Sequence, residues 1–356
     1  MNNKSKLLVF PCNLPEAEEY AQSAILMGME VVRASSDPEG LSYKSAYLPY
    51  ISQDSFDSEF KSLLLKENIS HIYAPHDVVL NYLEKFKEKN KTKFHFQLCN
   101  DYIHKQLYKK FDAAYHWAEN CIDDVFQNIE LTAPALRKNQ YANLIINYNN
   151  VPGQSDESKL KVLCYLFRNI PCGDIVEIGT LWGRSAYAMA WLATKHHIGN
   201  VICVDPWAYI YVGDQGEQAK LVNDMADTIN YDKIFEGFLV SAAELDNINY
   251  IREPSVIAGE TYVGCRSVGK LTTPEFGETS INGKISILHV DGNHKYEDVK
   301  NDIETWMPHV QQGGWILLDD YDWAFGDGPK RVGDELIHHP RVTSHFLISD
   351  TLYIKL

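Results

Sequence analysis

Two acidic clusters follow apolar runs in the C-terminal half of the chain. Asp291 follows the run "KISILHV" and precedes His294 by three residues, and Asp319 and Asp320 follow the run "GWILL". Ligands of open parallel sheets bind beyond the carboxyl ends of the strands, where these residues are expected to lie side by side. Three carboxylates brought together raise one another's pKa unless a cation neutralises them. We therefore predict that Asp291, Asp319 and Asp320 hold Mg²⁺, or else Mn²⁺ or Ca²⁺, because oxygen ligands without cysteine disfavour zinc.

His294 is the acid–base candidate. Its ordinary pKa near 6.5 allows it to accept a proton at neutral pH. A hydroxyl coordinated to a metal ion loses its proton more readily, and a nearby imidazole can remove that proton. The competing interpretation is a surface turn, since a single aspartate after a strand is most often a helix cap or turn residue. The acidic pairing at two strand ends favours the metal site, with His289 as a supporting neighbour of Asp291.

A glycine turn precedes these clusters in "VEIGTLWGRSA". Glu177 and Gly179 end an apolar run, and Gly183 to Ser185 open a helical pattern. The glycines allow a sharp turn and a close approach to a ligand, while the helix N-terminus offers free N–H groups to an anion. Asp205 ends the next run, 26 residues after Gly179, where it is placed to accept hydrogen bonds from ribose hydroxyls. The spacing differs from the dinucleotide pattern G-x-G-x-x-G, which disfavours a nicotinamide-dependent oxidoreductase.

Residues 155–356 resemble class I S-adenosylmethionine-dependent methyltransferases, and more narrowly the macrocin-type O-methyltransferases, which methylate sugar hydroxyls with a metal ion. The resemblance lies in "VEIGTLWGRSA", in "VDPW" and in "LHVDGNHKYEDVKNDIETWMPHVQQGGWILLDDYDW". It implies S-adenosylmethionine as methyl donor, a Mg²⁺ ion on the acidic cluster, His294 as base and Asp291 as a further catalytic residue. It also implies a cofactor-binding set formed by Glu177, Gly179, Thr180, Gly183, Ser185, Asp205, Trp207 and Ser255.

Short apolar runs alternate with amphipathic stretches along most of the chain, which predicts an α/β protein with two parallel sheets. We expect a small α/β domain over residues 1–125, accessory or dimerising, that resembles the domain preceding the nucleotide-binding part of ATP-grasp enzymes in fold only. A helical linker is expected over 126–155, with a polar join at 147–159. A Rossmann-like methyltransferase domain with helices on both faces of the sheet is expected over 156–356. Weak periodicity in residues 256–284 predicts a long loop or lid.

The composition of the chain disfavours some classes of binding partner. The net charge of −15 over 356 residues, without a basic stripe, argues against a nucleic-acid binder. The first apolar run is too short for a signal segment or a membrane span. Seven scattered cysteines without a C-x-x-C pair predict reduced thiols and a cytoplasmic location.

The expected partner is a small hydroxylated acceptor such as a sugar, and the family resemblance implies a homodimer. Two alternatives stay open from the sequence. One is a methyltransferase for a catechol-like or other non-sugar acceptor, which differs only in pocket residues that the sequence does not place. The other is a catalytically silent nucleotide-fold binding protein, which the intact acidic cluster disfavours.

Overall fold

The computed structural model describes residues 6–37, 45–123 and 129–356. Its chain divides into two compact units, residues 1–112 and residues 113–356, so the division lies within helix α4 (Ile103–Asp123). No helix among the described residues is long and apolar enough to cross a membrane.

The first unit contains a parallel sheet with strand order β3-β2-β1-β4-β5. Its strands are β1 (Lys6–Val9), β2 (Glu30–Ser35), β3 (Ala46–Tyr47), β4 (His71–Tyr73) and β5 (Gln97–Leu98). Its helices before α4 are α1 (Pro15–Leu26), α2 (Phe56–Glu67) and α3 (Asp77–Lys89). Leu8, Phe60 and Leu80 lie in its core. The predicted small parallel α/β fold is confirmed.

The second unit is built on a seven-stranded sheet with order β13-β14-β12-β11-β6-β7-β8. Its strands are β6 (Asp174–Ile178), β7 (Val201–Val204), β8 (Ile248–Ile251), β11 (Ile285–Val290), β12 (Val310–Leu318), β13 (Ser344–Ile348) and β14 (Thr351–Lys355). Neighbouring strands from β12 to β8 are parallel, and β14 is antiparallel to both β12 and β13. From β6 the chain first adds β7 and β8 on one side, and then β11 and β12 on the other side. The place between β6 and β11 is therefore the switch point of a doubly wound sheet. The predicted Rossmann-like fold is confirmed.

Helices cover both faces of this sheet, because its parallel strands are apolar on both sides. The helices of this unit are α5 (Lys138–Asn150), α6 (Glu157–Leu166), α7 (Arg184–His196), α8 (Tyr209–Val212), α9 (Lys220–Ala226), α10 (Tyr231–Ala242), α11 (Ser255–Val268), α12 (Tyr296–Trp306) and α13 (Gly328–Leu336), with 3₁₀ turns at Glu217–Ala219 and Met307–His309. One core contains Leu163, Met189 and Phe238, and a second contains Tyr262 and Trp306.

The boundary between the two units lies earlier in the chain than the sequence predicted. Helix α5 buries Tyr141, Leu144 and Tyr148 in the same core that holds α6 and α7. The polar section 147–159 therefore connects two helices of one unit, instead of separating two domains as the sequence suggested. Its polar composition is that of an exposed turn between packed helices.

Residues 256–284 are not the expected long loop. They contain most of α11, followed by a hairpin of β9 (Lys270–Thr273) and β10 (Gly277–Ser280). Tyr262 anchors α11 because its hydroxyl donates to the Asp174 carboxylate over 2.8 Å. The long irregular insertion of this unit is instead the 206–230 segment, between β7 and α10, which contains only short helical turns.

Candidate active site

A cavity of about 520 Å³ lies at the carboxyl ends of β6, β7, β11 and β12. The 206–230 segment forms part of its wall through Tyr211, Gln215 and Met225. Ten predicted site residues line it: Gly179, Thr180, Gly183, Ser185, Asp205, Ser255, Asp291, His294, Asp319 and Asp320. The other two predicted residues, Glu177 and Trp207, are fully buried and are not part of its lining.

The glycine turn shapes the floor of the cavity. Gly179 has a φ of 84°, and a Cβ atom there would overlap the backbone of Asp291. Only glycine therefore allows the ends of β6 and β11 to approach this closely. Gly183, with a φ of 86°, directly precedes α7. The start of this helix, where backbone N–H groups have no partner within the helix, lies at the cavity wall with Arg184 and Ser185.

Asp205 organises the turn beside β7. Its Oδ2 accepts a hydrogen bond from the backbone N–H of Leu181 at 2.9 Å, and its Oδ1 accepts one from Trp207 at 2.7 Å. Burial raises the pKa of Asp205 to about 6, although both hydrogen bonds oppose the shift. Trp207 supports the turn from behind, since its indole N–H donates to the carbonyl of Leu181 over 2.8 Å and its ring stacks on Phe238. A carboxylate has further lone pairs, so Asp205 can still accept from a ligand hydroxyl.

The acidic strand ends converge together with a histidine. His289 Nε2 lies 3.9 Å from Asp291 Oδ2 and 3.7 Å from Asp319 Oδ2. One donor atom from each of these three residues falls within 4.8 Å of the others, a spacing that suits a metal ion. His289 Nε2 has no hydrogen-bond partner among the described residues. Asp320 lies apart from this trio and instead contacts His294.

Glu177 contacts the cluster through His289. Its Oε1 lies 2.9 Å from His289 Nδ1, between neighbouring strands β6 and β11. Burial lowers the pKa of His289, but the nearby Asp319 carboxylate and the hydrogen bond with Glu177 outweigh it and raise that pKa to about 9. Burial and the Asp319 charge together raise the pKa of Asp291 well above its ordinary value. The crowding of these carboxylates therefore keeps protons on Asp291 and His289.

Lys159 is a member of the site that sequence reasoning missed. It projects from α6, and its Nζ forms an ion pair with Asp319 Oδ2 in which the side chains are only 4% and 8% exposed. Thr351 donates to the other oxygen of Asp319. Burial opposes ionisation of Asp319, but the Lys159 charge and His289 hold its pKa well below the ordinary range. In the sequence Lys159 is an ordinary polar helix residue, so only packing reveals its role.

His294 is held by residues on either side of its ring. Its backbone N–H donates to Gln215 Oε1 over 2.9 Å, and its Nδ1 lies 2.7 Å from the same oxygen. Because that oxygen can only accept, Nδ1 must carry a hydrogen. Nε2 lies 2.7 Å from Asp320 Oδ2, and Trp323 stacks on the ring at 4.1 Å. Because the Asp320 carboxylate also accepts, Nε2 can take a proton from another group only when Asp320 has moved away.

A hydrogen bond and an ion pair connect the 206–230 segment to the loop that carries His294. Asn293 Nδ2 donates to the carbonyl of Asp214 over 2.8 Å, and Lys295 pairs with the Asp214 carboxylate at 3.1 Å. Gln215 belongs to this segment and had no recognisable signal in the sequence. The segment thus contributes a polar contact to the acid–base residue as well as part of the cavity wall.

Comparisons with known proteins agree with this arrangement. Residues 176–321, about two fifths of the chain, match a family model described as a methyltransferase domain. This match confirms the resemblance to methyltransferases and covers the glycine turn, Asp205 and both acidic strand ends.

Among curated proteins, an uncharacterized protein R132 of Acanthamoeba polyphaga mimivirus is 46% identical over 44 residues, 12% of this chain and 20% of that protein. The match thus spans about a fifth of the relative's own length.

Solved structures similar to this chain include three methyltransferases. The O-methyltransferase NovP is 16% identical, with a TM-score of 0.41, over 70% of this chain and 98% of its own. The calicheamicin methyltransferase CalS11 is 12% identical, with a TM-score of 0.42, over 69% of this chain and 92% of its own. The methyltransferase MycE, solved with Mg, S-adenosylhomocysteine and mycinamycin VI, is 14% identical over 52% of this chain and 44% of its own, with a TM-score of 0.30.

Proposed function

We propose, from the methyltransferase domain in residues 176–321, that this chain transfers a methyl group from S-adenosylmethionine to a hydroxyl of a sugar, glycoside or related small molecule. The observation that carries the proposal is a single cavity that joins the glycine turn, Asp205, the acidic strand ends and His294. Each part has a chemical task in such a transfer, and none is remote from the others.

The methyl donor fits the side of the cavity formed by β6 and β7. Gly179 keeps this floor free of side chains, and the start of α7 offers N–H groups to the donor carboxylate. Asp205 is available to the ribose hydroxyls at the end of β7. This placement directs the sulfonium methyl group towards the strand ends that carry the acidic cluster.

The acidic cluster fits a divalent cation. The carboxylates of Asp291, Asp319 and Asp320 line one part of the cavity, and the raised pKa values of Asp291 and His289 keep protons there that a divalent ion would displace. Asp291 and Asp319 would hold the ion, and the unpartnered His289 Nε2 is close enough to join them. Asp320 would have to leave His294 to do so. A bound Mg²⁺ would supply a lowered pKa for the acceptor hydroxyl.

His294 accepts the proton in the proposed reaction. The acceptor oxygen forms a bond to the methyl carbon as the carbon–sulfur bond breaks, and the sulfonium becomes a neutral thioether. The hydroxyl proton passes to His294 Nε2, the ring atom not bonded to Gln215, once the acceptor hydroxyl has replaced Asp320 beside that atom. The Nδ1–H group still donates to Gln215 Oε1, which stabilises the resulting imidazolium. No covalent enzyme intermediate is needed, so orientation within a dry cavity supplies much of the acceleration.

Aromatic residues near His294 support a sugar or glycoside as the acceptor. Tyr211 lines the cavity, and Trp323 stacks on the imidazole of His294, so aromatic side chains lie beside the base. Such surfaces pack well against the C–H faces of sugars.

Calorimetric titration with S-adenosylhomocysteine, with and without Mg²⁺, tests the proposal. We expect micromolar binding by the wild type and at least about tenfold weaker binding by Asp205→Ala, since a buried hydrogen-bond acceptor is lost. A panel of nucleotide sugars, glycosides and catechols then identifies the acceptor by mass spectrometry of the methylated product. A folded wild-type protein that binds no S-adenosylhomocysteine would refute the assignment.

Homodimer formation and a cytoplasmic location stay predictions of the sequence. Light scattering coupled to size-exclusion chromatography measures the oligomeric state directly.

A further inference from the structure

His289 brings a nitrogen atom to the acidic cluster. Its side chain is 1% exposed, and its Nε2 has no hydrogen-bond partner in the part of the chain that the structure describes. This atom lies 3.9 Å from Asp291 Oδ2 and 3.7 Å from Asp319 Oδ2, distances that are too long for a hydrogen bond. A buried polar atom without a partner costs free energy. The nitrogen therefore lies between two carboxylates that do not satisfy it directly.

Glu177 fixes the orientation of this nitrogen. His289 and Glu177 are direct neighbours on the parallel strands β11 and β6, and Glu177 Oε1 lies 2.9 Å from His289 Nδ1. Because a carboxylate oxygen accepts, Nδ1 carries the hydrogen of this bond. Nε2 is then the ring atom that faces the cluster and can donate its lone pair to a cation. A histidine that binds a metal ion commonly donates its other ring N–H to a carboxylate in this way.

The spacing of the three side chains suits one ion. One donor atom from each of His289, Asp291 and Asp319 lies within 4.8 Å of the others. Ligands about 2.1 Å from a transition-metal ion lie about 3 to 3.5 Å apart, so small shifts of these side chains would complete the site. Asp319 Oδ2 also contacts Lys159 Nζ, but a carboxylate oxygen has two lone pairs and can serve both partners.

We propose that His289 Nε2 is a direct ligand of the bound ion, beside Asp291 and Asp319, and that the site takes a first-row transition-metal ion such as Fe²⁺ or Co²⁺ in preference to Mg²⁺. The inference rests on the proposed function and deepens it, because it names the class of ion. Imidazole suits transition metals, whereas Mg²⁺ prefers oxygen ligands. The sequence predicts His289 only as a supporting neighbour of Asp291, so its role as a ligand depends on the tertiary contacts.

Pulsed electron paramagnetic resonance of the protein loaded with Mn²⁺ tests direct nitrogen ligation. A coordinated imidazole nitrogen couples magnetically to the electron spin of Mn²⁺, and ligand oxygens give no such coupling. We expect a ¹⁴N coupling in the wild type that His289→Asn loses. His294→Asn is the matched control, because it makes the same substitution at a histidine of the cavity wall. This control should keep the coupling.

Calorimetric titrations with Co²⁺ and with Mg²⁺ at pH 7 measure the preference. The wild type should bind Co²⁺ at least about a hundredfold more tightly than Mg²⁺. His289→Asn should weaken Co²⁺ binding at least about tenfold and Mg²⁺ binding less than about threefold, since only the transition metal gains strongly from the nitrogen ligand.

The outcomes separate this inference from the proposed function. Three results would overturn the inference alone: a wild type that binds Mn²⁺ without ¹⁴N coupling, a coupling that persists in folded His289→Asn, or a wild type that binds S-adenosylhomocysteine but none of the three ions. A wild type that binds no S-adenosylhomocysteine refutes the proposed function itself, whatever ions it binds. Thermal melting of each variant checks folding. If His289→Asn does not fold, the comparison of the wild type with His294→Asn decides, because a coupling lost in His294→Asn would exclude His289 as its source.

Discussion

Replacing Lys159 by methionine tests whether the buried ion pair holds the acidic cluster together. The substitution keeps the length of the side chain but removes the ammonium that contacts Asp319. Both side chains are more than nine-tenths buried, so Asp319 would be left as an uncompensated charge. Removing one partner of a buried pair typically destabilises a protein by about 3–5 kcal/mol. We expect a loss of this size in the free energy of unfolding.

Tryptophan fluorescence during denaturant unfolding measures this loss in the relevant unit. All seven tryptophans lie at or beyond residue 117, within the second unit, so the first unit does not contribute to the signal. Lys233→Met is the matched control. It removes an ion pair with Glu236 whose side chains are 67% and 59% exposed, and it should cost less than about 1 kcal/mol.

Two further measurements sharpen the test. Adding Asp319→Asn to Lys159→Met should recover part of the loss, because the unpaired charge is then removed as well. Mg²⁺ should stabilise Lys159→Met more than the wild type, since the cluster gains a negative charge.

The pH dependence of the pair has a definite sign. The Asp319 pKa is lowered in the folded state, so its contribution is present above the unfolded pKa, about 4. The contribution disappears only as pH falls through the lower folded value. The difference between wild type and Lys159→Met should therefore persist across pH 5 to 9. A loss below about 1 kcal/mol at pH 7 would refute the buried pair.

Three other predictions concern single residues of the cavity. Gln215→Leu should abolish the fixed Nδ1–H form of His294, detected by the ¹⁵N chemical shifts of the ring, while Gln215→Glu should preserve it. Gly179→Ala should cost at least about 2 kcal/mol in unfolding experiments and weaken S-adenosylhomocysteine binding more than tenfold, because its Cβ would overlap Asp291 at a positive φ; unchanged binding would contradict the close approach. Asp302, on α12, has a folded pKa raised by burial to about 7, so its stabilising contribution is present below its unfolded pKa and is lost as pH rises through 7. As pH rises from about 4 to above 7, Asp302→Asn should therefore become more stable than the wild type, by up to about 4 kcal/mol. Free energies of unfolding that change in parallel with pH in the two proteins would contradict this prediction.

The sequence alone determined the fold class and the main residues of the cavity. Alternating strand and helix patterns, the glycines of "VEIGTLWGRSA" and the acidic ends of two apolar runs are local features. Each reflects a constraint on nearby backbone, such as the turn after β6 that only Gly179 permits. Parallel strands bring their carboxyl ends to one edge, so residues that follow such strands meet there whatever the rest of the chain does.

Only the tertiary structure decided which groups meet at that edge. Lys159 reaches Asp319 across 160 positions of the chain, and Gln215 reaches His294 across 79. Neither residue has a local pattern that distinguishes it from an ordinary polar side chain. The same holds for Asp302, whose helical periodicity indicates a buried face but cannot show that the face borders a cavity. Contacts between distant segments depend on how helices pack onto the sheet, and this packing is set by the whole core.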